Sequence, residues 1–219
     1  MRPDLRLYAL LDPNCAGGRS LTELARLICS SATLVQLRDK QGGTRDMVEL
    51  ARGLQAVLQA KHVPLVINDR VDVALAAHAD GVHLGQGDMT PEDARRLLGS
   101  KAIIGLTVKT VTQANAAPLQ VLDYLAVGGV YGTTSKDNTE APIGTAGLRE
   151  IVAAIRARNK EFPVCAIAGI NSANAGDVIA AGADGVAVIS AISLAGDPAA
   201  AARELLSTVD AAIDRRRRR

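Results

Sequence analysis

The chain reads as short apolar runs separated by segments in which apolar residues recur at helical spacing. The runs are "LYALL" (7–11), "TLVQL" (33–37), "PLVIN" (64–68), "GVHLG" (81–85), "AIIGLT" (102–107), "DYLAVG" (123–128), "PVCAIAG" (163–169) and "GVAVIS" (185–190). Rich in β-branched residues and apolar on successive positions, they predict strands covered on both faces, as in a parallel sheet. The segments between them carry helix-start signals: Ser20 with Glu23, Thr90 followed by Pro91, Thr110 with Gln113, and Asp197 followed by Pro198. An internal echo adds to this. "INDRVDVALAAHADGVHL" (67–84) resembles "INSANAGDVIAAGADGVAV" (170–188), with the A-D-G-V elements 104 residues apart. Similar βα units at opposite points of an eight-fold chain predict an α/β fold, a (β/α)8 TIM barrel in a single domain, ahead of an open doubly wound sheet. Against the open sheet, no G-x-G-x-x-G follows the first strand and no G-x-x-x-x-G-K-[ST] occurs. The barrel is assigned to residues 1–214, with 215–219 as an arginine-rich C-terminal tail. The segment "YGTTSKDNTEAPIGTAG" (131–147) reads as one long polar βα loop, where function concentrates in such folds.

Within the second run the pattern breaks. In "ATLVQLRDK" (32–40), Leu34, Val35 and Leu37 suit a covered strand, yet Gln36, Arg38 and Lys40 fall on alternate positions and share one face. The carboxyl ends of barrel strands hold the active site, so the polar residues ending the other runs matter too. They are Asn68 and Asp69, Asp88 in "GQGD", Thr107, and Thr133, Ser135 and Lys136 in "TTSK". Alone, Arg38 or Lys40 reads as a rim charge and Asp69 as a helix cap. Together, Arg38, Lys40 and Lys136 converge on one mouth, where burying uncompensated cations costs several kcal/mol. An anionic ligand is the expected counter-charge, because two carboxylates do not neutralise all three cations. Asp69 and Asp88, on adjacent strands, suit Mg²⁺, which takes one or two protein carboxylates and completes its shell with water and phosphate oxygens. The bland alternative is two unrelated caps. A second anion site is expected where "AIAGIN" and "AVISAIS" offer backbone N–H groups, Gly169 and the Ser190 hydroxyl. Two phosphorylated substrates would fit two such sites.

Composition narrows the reading. The apolar fraction is 48% but aromatics supply only 2%, so the core must be packed from Ala, Val, Leu and Ile. The net charge of +2 belongs to the five C-terminal arginines, since without them the remainder carries 2 − 5 = −3. That run reads as a solvated, frayed end. Without interleaved aromatics neither base stacking nor specific nucleic-acid recognition is expected. Cys15, Cys29 and Cys165 are odd in number and far apart, signalling neither a disulfide framework nor structural zinc. No signal peptide or membrane-length apolar window is read, so a cytoplasmic setting is expected. Oligomeric state is left open, with a homo-oligomer allowed.

In order and spacing, "QLRDK", "INDRVDVAL", "ADGVHLGQGD", "IGLT", "GGVYGTTSK", "PIG", "AIAGI" and "ADGVAVISAI" resemble the thiamine phosphate synthase family over about residues 5–206. The resemblance implies a (β/α)8 transferase that joins a pyrimidine diphosphate to a thiazole phosphate and releases diphosphate. It further implies that Gln36, Arg38, Lys40, Asn68, Thr107 and Lys136 hold the pyrimidine diphosphate, with Arg38, Lys40 and Lys136 acting on the leaving group. Asp69 and Asp88 would bind Mg²⁺, while Thr133, Ser135, Gly169, Ile189 and Ser190 would hold the thiazole phosphate. The implied reaction is a dissociative substitution that needs no side-chain nucleophile, in keeping with His62, His78 and His83 being scattered and read as structural or exposed.

This chain departs from the family pattern in having Thr107 for Ser, Ser135 for Thr, Gly129 and Gly132 near an expected Pro, and Ala168 for Gly. Both hydroxyls survive, so the departures bear on affinity and loop closure more than on reaction class. Two rivals are a thiazole tautomerase-like barrel, which would need a positioned general base near Lys109, and a non-catalytic phosphate-ligand or nucleic-acid binder using the arginine run.

Overall fold

The structure, a computed structural model, describes residues 2–133 and 141–218. Eight parallel strands close into a barrel in sequence order: β1 Leu7–Leu11, β2 Leu34–Leu37, β3 Leu65–Asn68, β4 Gly81–Leu84, β5 Ile103–Val108, β6 Tyr124–Val127, β7 Val164–Ile167 and β8 Gly185–Val188. β8 pairs with β1, Leu7 opposite Val186, which leaves no sheet edge. Each apolar run of the sequence holds one strand. The helices between them are α1 Leu21–Ile28, α2 Thr44–Leu58, α3 Val71–Ala77, α4 Pro91–Leu98, α5 Val111–Ala116, α6 Gly144–Arg158, α7 Ala175–Ala180, a short α8 Ser190–Ser193 and α9 Pro198–Arg217. All four expected N-caps are in place: the side chains of Ser20, Thr90, Thr110 and Asp197 accept from the backbone N–H of Glu23, Asp93, Gln113 and Ala200. Among the described residues, no helix is long and apolar enough to cross a membrane.

The echo between residues 67–84 and 170–188 has a structural cause. Asp80, just before β4, accepts from the Leu65 N–H at the start of β3 (2.8 Å), and Asp184, just before β8, accepts from the Val164 N–H at the start of β7 (3.0 Å). Asp123 does the same for Ile104 (2.9 Å), so alternate strands are pinned at the amino end of the barrel by a carboxylate from the next one. Arg95 and Arg156 brace Asp123 and Asp184 at 2.6 and 2.5 Å.

The C-terminal arginines are not the frayed end that their charge suggested, and the division drawn after Asp214 cuts through α9. Arg216 donates to the carbonyls of Ile179 (3.1 Å) and Ala183 (2.6 Å) and to the Asp184 carboxylate (3.1 Å). Carbonyls at a helix C-terminus lack intrahelical partners and attract a cation, which holds this turn of α9 against α7.

Strand alternation divides the core in two. Leu7, Ala9, Leu11, Val35 and Leu37 face the helices, while Tyr8, Leu10, Leu34, Val66, Tyr124, Cys165 and Ala187 fill the barrel. The interior packs Tyr8 edge-to-face on Tyr124, and Gly105 makes room for the latter: a Cβ there would lie 2.0 Å from Cζ of Tyr124. Burial pushes the phenols of Tyr8 and Tyr124 and the thiol of Cys165 above their ordinary values. All three are then neutral in the fold but ionise in the unfolded chain above about pH 8.5 for a thiol and about 10 for a phenol. The folded state binds more protons in that range, so stability is full below it and falls as pH rises, by up to about 1.4 kcal/mol per pH unit per group. Urea midpoints should begin to drop above about pH 8.5. Cys165→Ala should flatten the first part of that drop, and a parent profile level up to about pH 11 would contradict this account.

Candidate active site

Three concavities differ in what they offer. The largest, about 980 Å³, lies at the amino ends of the strands among Asp4, Arg6, Arg156, Asp184, Asp210 and Arg216. There Arg6 pairs with Asp4 and Asp210, and Arg156 and Arg216 with Asp184, so these charges serve the fold. The other two open at the carboxyl ends and adjoin. One, about 320 Å³, is lined by Lys40, Asn68, Asp69, His83, Asp88 and Thr107 among others. The other, about 520 Å³, is lined by Gly128, Thr133, Ile167, Gly169, Ile189 and Ser190 among others. Thr107 and Lys109 line both.

The smaller cavity is charged. Asp69 follows the last residue of β3 with φ +61°, a left-handed turn that aspartate tolerates, and its N–H donates to the His83 carbonyl (2.8 Å). Its carboxylate pairs with Lys40 and interacts with Asp88. Burial lifts the Asp69 carboxyl above its ordinary range, the Lys40 ammonium opposes that, and Asp88 lifts it further. Asp88 accepts from the Gly85 N–H (2.7 Å), which aims it back across the loop. Asp69 and Asp88 are two carboxylates that could hold a hard divalent cation taking its other ligands from water and substrate, although no group of three or more acidic, imidazole or thiol side chains that could hold a metal is found among the described residues.

The second-strand residues do not act alike. Gln36 is the last inward residue of β2, 1% exposed, and its amide donates to the Tyr8 hydroxyl, leaving Oε1 buried without a partner. Arg38 lies beyond the strand end and is not without a counter-charge: it forms an ion pair with Asp12, whose side chain is 3% exposed, while its Nε has no partner. Lys40 is paired with Asp69. Both described cations therefore have a carboxylate partner, which revises the expectation that they needed an anionic ligand to be tolerated. Ser135 and Lys136 lie outside the described residues.

The larger cavity is mostly apolar, with backbone at its far end. Gly169 has φ +63°, and a Cβ there would lie 2.3 Å from the Gly132 carbonyl oxygen, so only glycine fits between the loops after β6 and β7. Ala168 beside it has φ +98°, a conformation L side chains rarely adopt. Such strain costs on the order of 1–3 kcal/mol, partly offset by the entropy a glycine loses on folding. Ala168→Gly is therefore expected to raise stability by about 1 kcal/mol, read as a higher urea midpoint at unchanged slope. A lower midpoint would show that the strain is absorbed elsewhere.

Two groups were missed at the level of sequence. Asp12 directly ends "LYALL", a position that the rule about strand carboxyl ends covers, yet no partner was visible along the chain. His83 was grouped with His62 and His78. Those two are exposed, but His83 is 7% exposed on the floor of the charged cavity, with Nε2 2.7 Å from Thr107 Oγ1 and Nδ1 2.8 Å from the Tyr124 hydroxyl. Alternation along "GVHL" was the available signal, since it puts His83 on the same face as Gly81.

A closed barrel with paired cavities at the carboxyl ends of its strands is the architecture of a barrel enzyme that acts on small molecules. Residues 7–192 match the family model described as thiamine monophosphate synthase. The chain is 50% identical over 214 residues to the thiamine-phosphate synthase of Agrobacterium fabrum, covering 97% of each chain. It is 47% identical over 207 residues to that of Chloroflexus aurantiacus, covering 94% of this chain and 93% of the other. Among solved structures, the thiamine phosphate pyrophosphorylase from Pyrococcus furiosus superposes with a TM-score of 0.83 at 35% identity, over 97% of this chain and 98% of that one. The chain belongs to the thiamine monophosphate synthase family, and its activity is that of a transferase, the synthesis of thiamine phosphate.

Proposed function

We propose that the protein condenses hydroxymethylpyrimidine diphosphate with hydroxyethylthiazole phosphate, with Mg²⁺, by a dissociative substitution that releases diphosphate. The observation that carries this reading is the pair of adjoining cavities, one charged and one apolar with a backbone-lined end, sharing Thr107 and Lys109. In this reading Gln36, Asn68 and Thr107 hold the aminopyrimidine, and Arg38, Lys40 and Lys136 hold its diphosphate. Thr133, Ser135, Gly169, Ile189 and Ser190 hold the thiazole and its phosphate, and Asp69 and Asp88 hold Mg²⁺. When bound, the ion supplies Lewis-acid stabilisation of the charge that develops on a phosphoryl leaving group.

The chain's own part is positioning and electrostatics. Arg38 and Lys40 are each held by a carboxylate before substrate arrives, so little reorganisation remains as charge grows on the departing diphosphate. The electron-rich aminopyrimidine stabilises the methylene cation left behind, and a thiazole seated in the neighbouring cavity presents its ring nitrogen to it. No side-chain nucleophile enters this scheme. Cys165 is sealed inside the barrel, and both ring nitrogens of His83 are hydrogen-bonded to Tyr124 and Thr107.

The reading is tested by incubating the purified chain with both phosphorylated precursors and Mg²⁺ and following thiamine phosphate and diphosphate in equal amounts. Diphosphate release that persists unchanged in excess chelator would remove the metal from the scheme. Rearrangement of the thiazole phosphate without condensation would favour the tautomerase instead.

A further inference from the structure

Inside the barrel, below the two cavities, four hydrogen bonds join into one chain across five side chains. Gln36 Nε2 donates to the Tyr8 hydroxyl, and the hydroxyls of Tyr8 and Tyr124 are 2.8 Å apart. The Tyr124 hydroxyl is 2.8 Å from His83 Nδ1, and His83 Nε2 is 2.7 Å from Thr107 Oγ1. Thr107 lines both cavities and Gln36, 1% exposed, lies beneath them; the tyrosines and the histidine between them have no part in the scheme above.

With the Gln36 amide oriented as it is, proton counting selects a direction for the chain. An amide N–H can only donate, and a phenol has one proton. Gln36 occupies one lone pair of the Tyr8 oxygen; the Tyr8 proton finds its acceptor in the Tyr124 hydroxyl, since the reverse would leave a buried phenol proton unsatisfied, and the Tyr124 proton then serves His83 Nδ1. The imidazole is left neutral with its proton on Nε2, which it donates to Thr107. The Thr107 hydroxyl, having accepted, turns its own proton toward the cavity. Burial keeps both phenols protonated, so neither link is lost by ionisation. If the Gln36 amide were turned, Oε1 would accept from Tyr8 and every bond would reverse. His83 would then carry its proton on Nδ1, and Thr107 would donate to Nε2 and show a ligand only lone pairs.

We infer that Gln36, acting through Tyr8 and Tyr124, is a positioning residue that sets the tautomer of His83 and thereby makes the Thr107 hydroxyl a donor to the substrate. The two ends of the chain differ: Gln36 keeps a buried, unpartnered Oε1 beneath the site, and the Thr107 hydroxyl donates into the cavities that Thr107 lines. The ligand selected is one that offers a ring nitrogen or phosphoryl oxygen to Thr107. This deepens the assignment of the site to a pyrimidine diphosphate and rests on it, although the hydrogen-bond polarity is a property of the substrate-free protein.

The test reads the tautomer directly, from two-bond ¹H–¹⁵N correlations of histidine-labelled protein without substrate, with the His83 signals assigned by their loss in His83→Gln. The parent should show a pyrrole-type Nε2 and a pyridine-type Nδ1. Tyr8→Phe keeps the ring that packs edge-on to Tyr124 and His83 but removes the hydroxyl. Gln36→Met removes the donor at the far end of the chain. Both should move His83 toward mixed tautomers. Tyr8→Phe should also raise KM for the pyrimidine diphosphate by roughly 5–30-fold and leave KM for the thiazole phosphate within about 2-fold, the effect of one misdirected hydrogen bond. A parent His83 protonated on Nδ1 or on both nitrogens would overturn the inference, as would signals that neither variant shifts. A protein with the expected tautomer behaviour but no condensation activity would sink the proposed function alone.

Discussion

Arg38→Met is expected to lower the stability of the fold by about 3–5 kcal/mol, because it strands the buried carboxylate of Asp12. The Arg38 side chain is 12% exposed and that of Asp12 is 3% exposed, so the pair lies out of reach of the solvent screening that makes most ion pairs nearly neutral in effect. The cost is that of an unpaired charge and not the worth of the pair, which leads to a second expectation. Adding Asp12→Asn to Arg38→Met should recover most of the loss, since an amide at position 12 keeps an oxygen for the Asn14 N–H (2.9 Å) and no longer needs a cation. Urea midpoints of the parent, the two single variants and the double variant complete the cycle. Synthase activity should stay depressed in the double variant, because the proposed contact of Arg38 with diphosphate is not restored. A single variant within about 1 kcal/mol of the parent would show that the carboxylate reaches water in its absence.

Asp88→Asn should lower kcat by roughly 10²–10³-fold, or about 3–4 kcal/mol of transition-state stabilisation, with a smaller change in KM. The substitution is nearly isosteric, and an amide oxygen can still accept from Gly85, so the loop after β4 should keep its shape. What it removes is one of the two carboxylates proposed to hold Mg²⁺, together with the charge that raises the Asp69 carboxyl. The Mg²⁺ concentration for half-maximal rate should rise in parallel. Near-normal turnover at unchanged Mg²⁺ dependence would show that Asp88 only shapes its loop.

Much of the barrel was legible along the chain because its cause is local. Strands such as "LYALL" and "PLVIN" are apolar on successive positions since one set of side chains faces helices and the other fills the barrel. The caps at Ser20, Thr90, Thr110 and Asp197 lie beside the N–H groups they satisfy. The A-D-G-V echo at 79–82 and 183–186 was visible as a repeat, but not as the carboxylate pin that explains it. Most candidate residues of the site were legible for a related reason, since strand carboxyl ends all point to one mouth once the fold is known.

Partnership was not legible. The separation between Arg38 and Asp12 along the chain is 26 residues, between Lys40 and Asp69 it is 29, and between Tyr8 and Tyr124 it is 116, so no spacing rule could join them. The same holds for Arg216, whose charge suggested a solvated tail until α7 supplied carbonyls for it. The amino-acid sequence by itself determined the order of strands and helices, the family, and the end of the barrel where the candidate residues gather, because periodicity and capping act over a few neighbouring residues. Only the tertiary structure decided which charges neutralise each other, that His83 lines the charged cavity, and which buried hydroxyls meet in one hydrogen-bonded chain. Those depend on distances between strands, which closing the barrel creates.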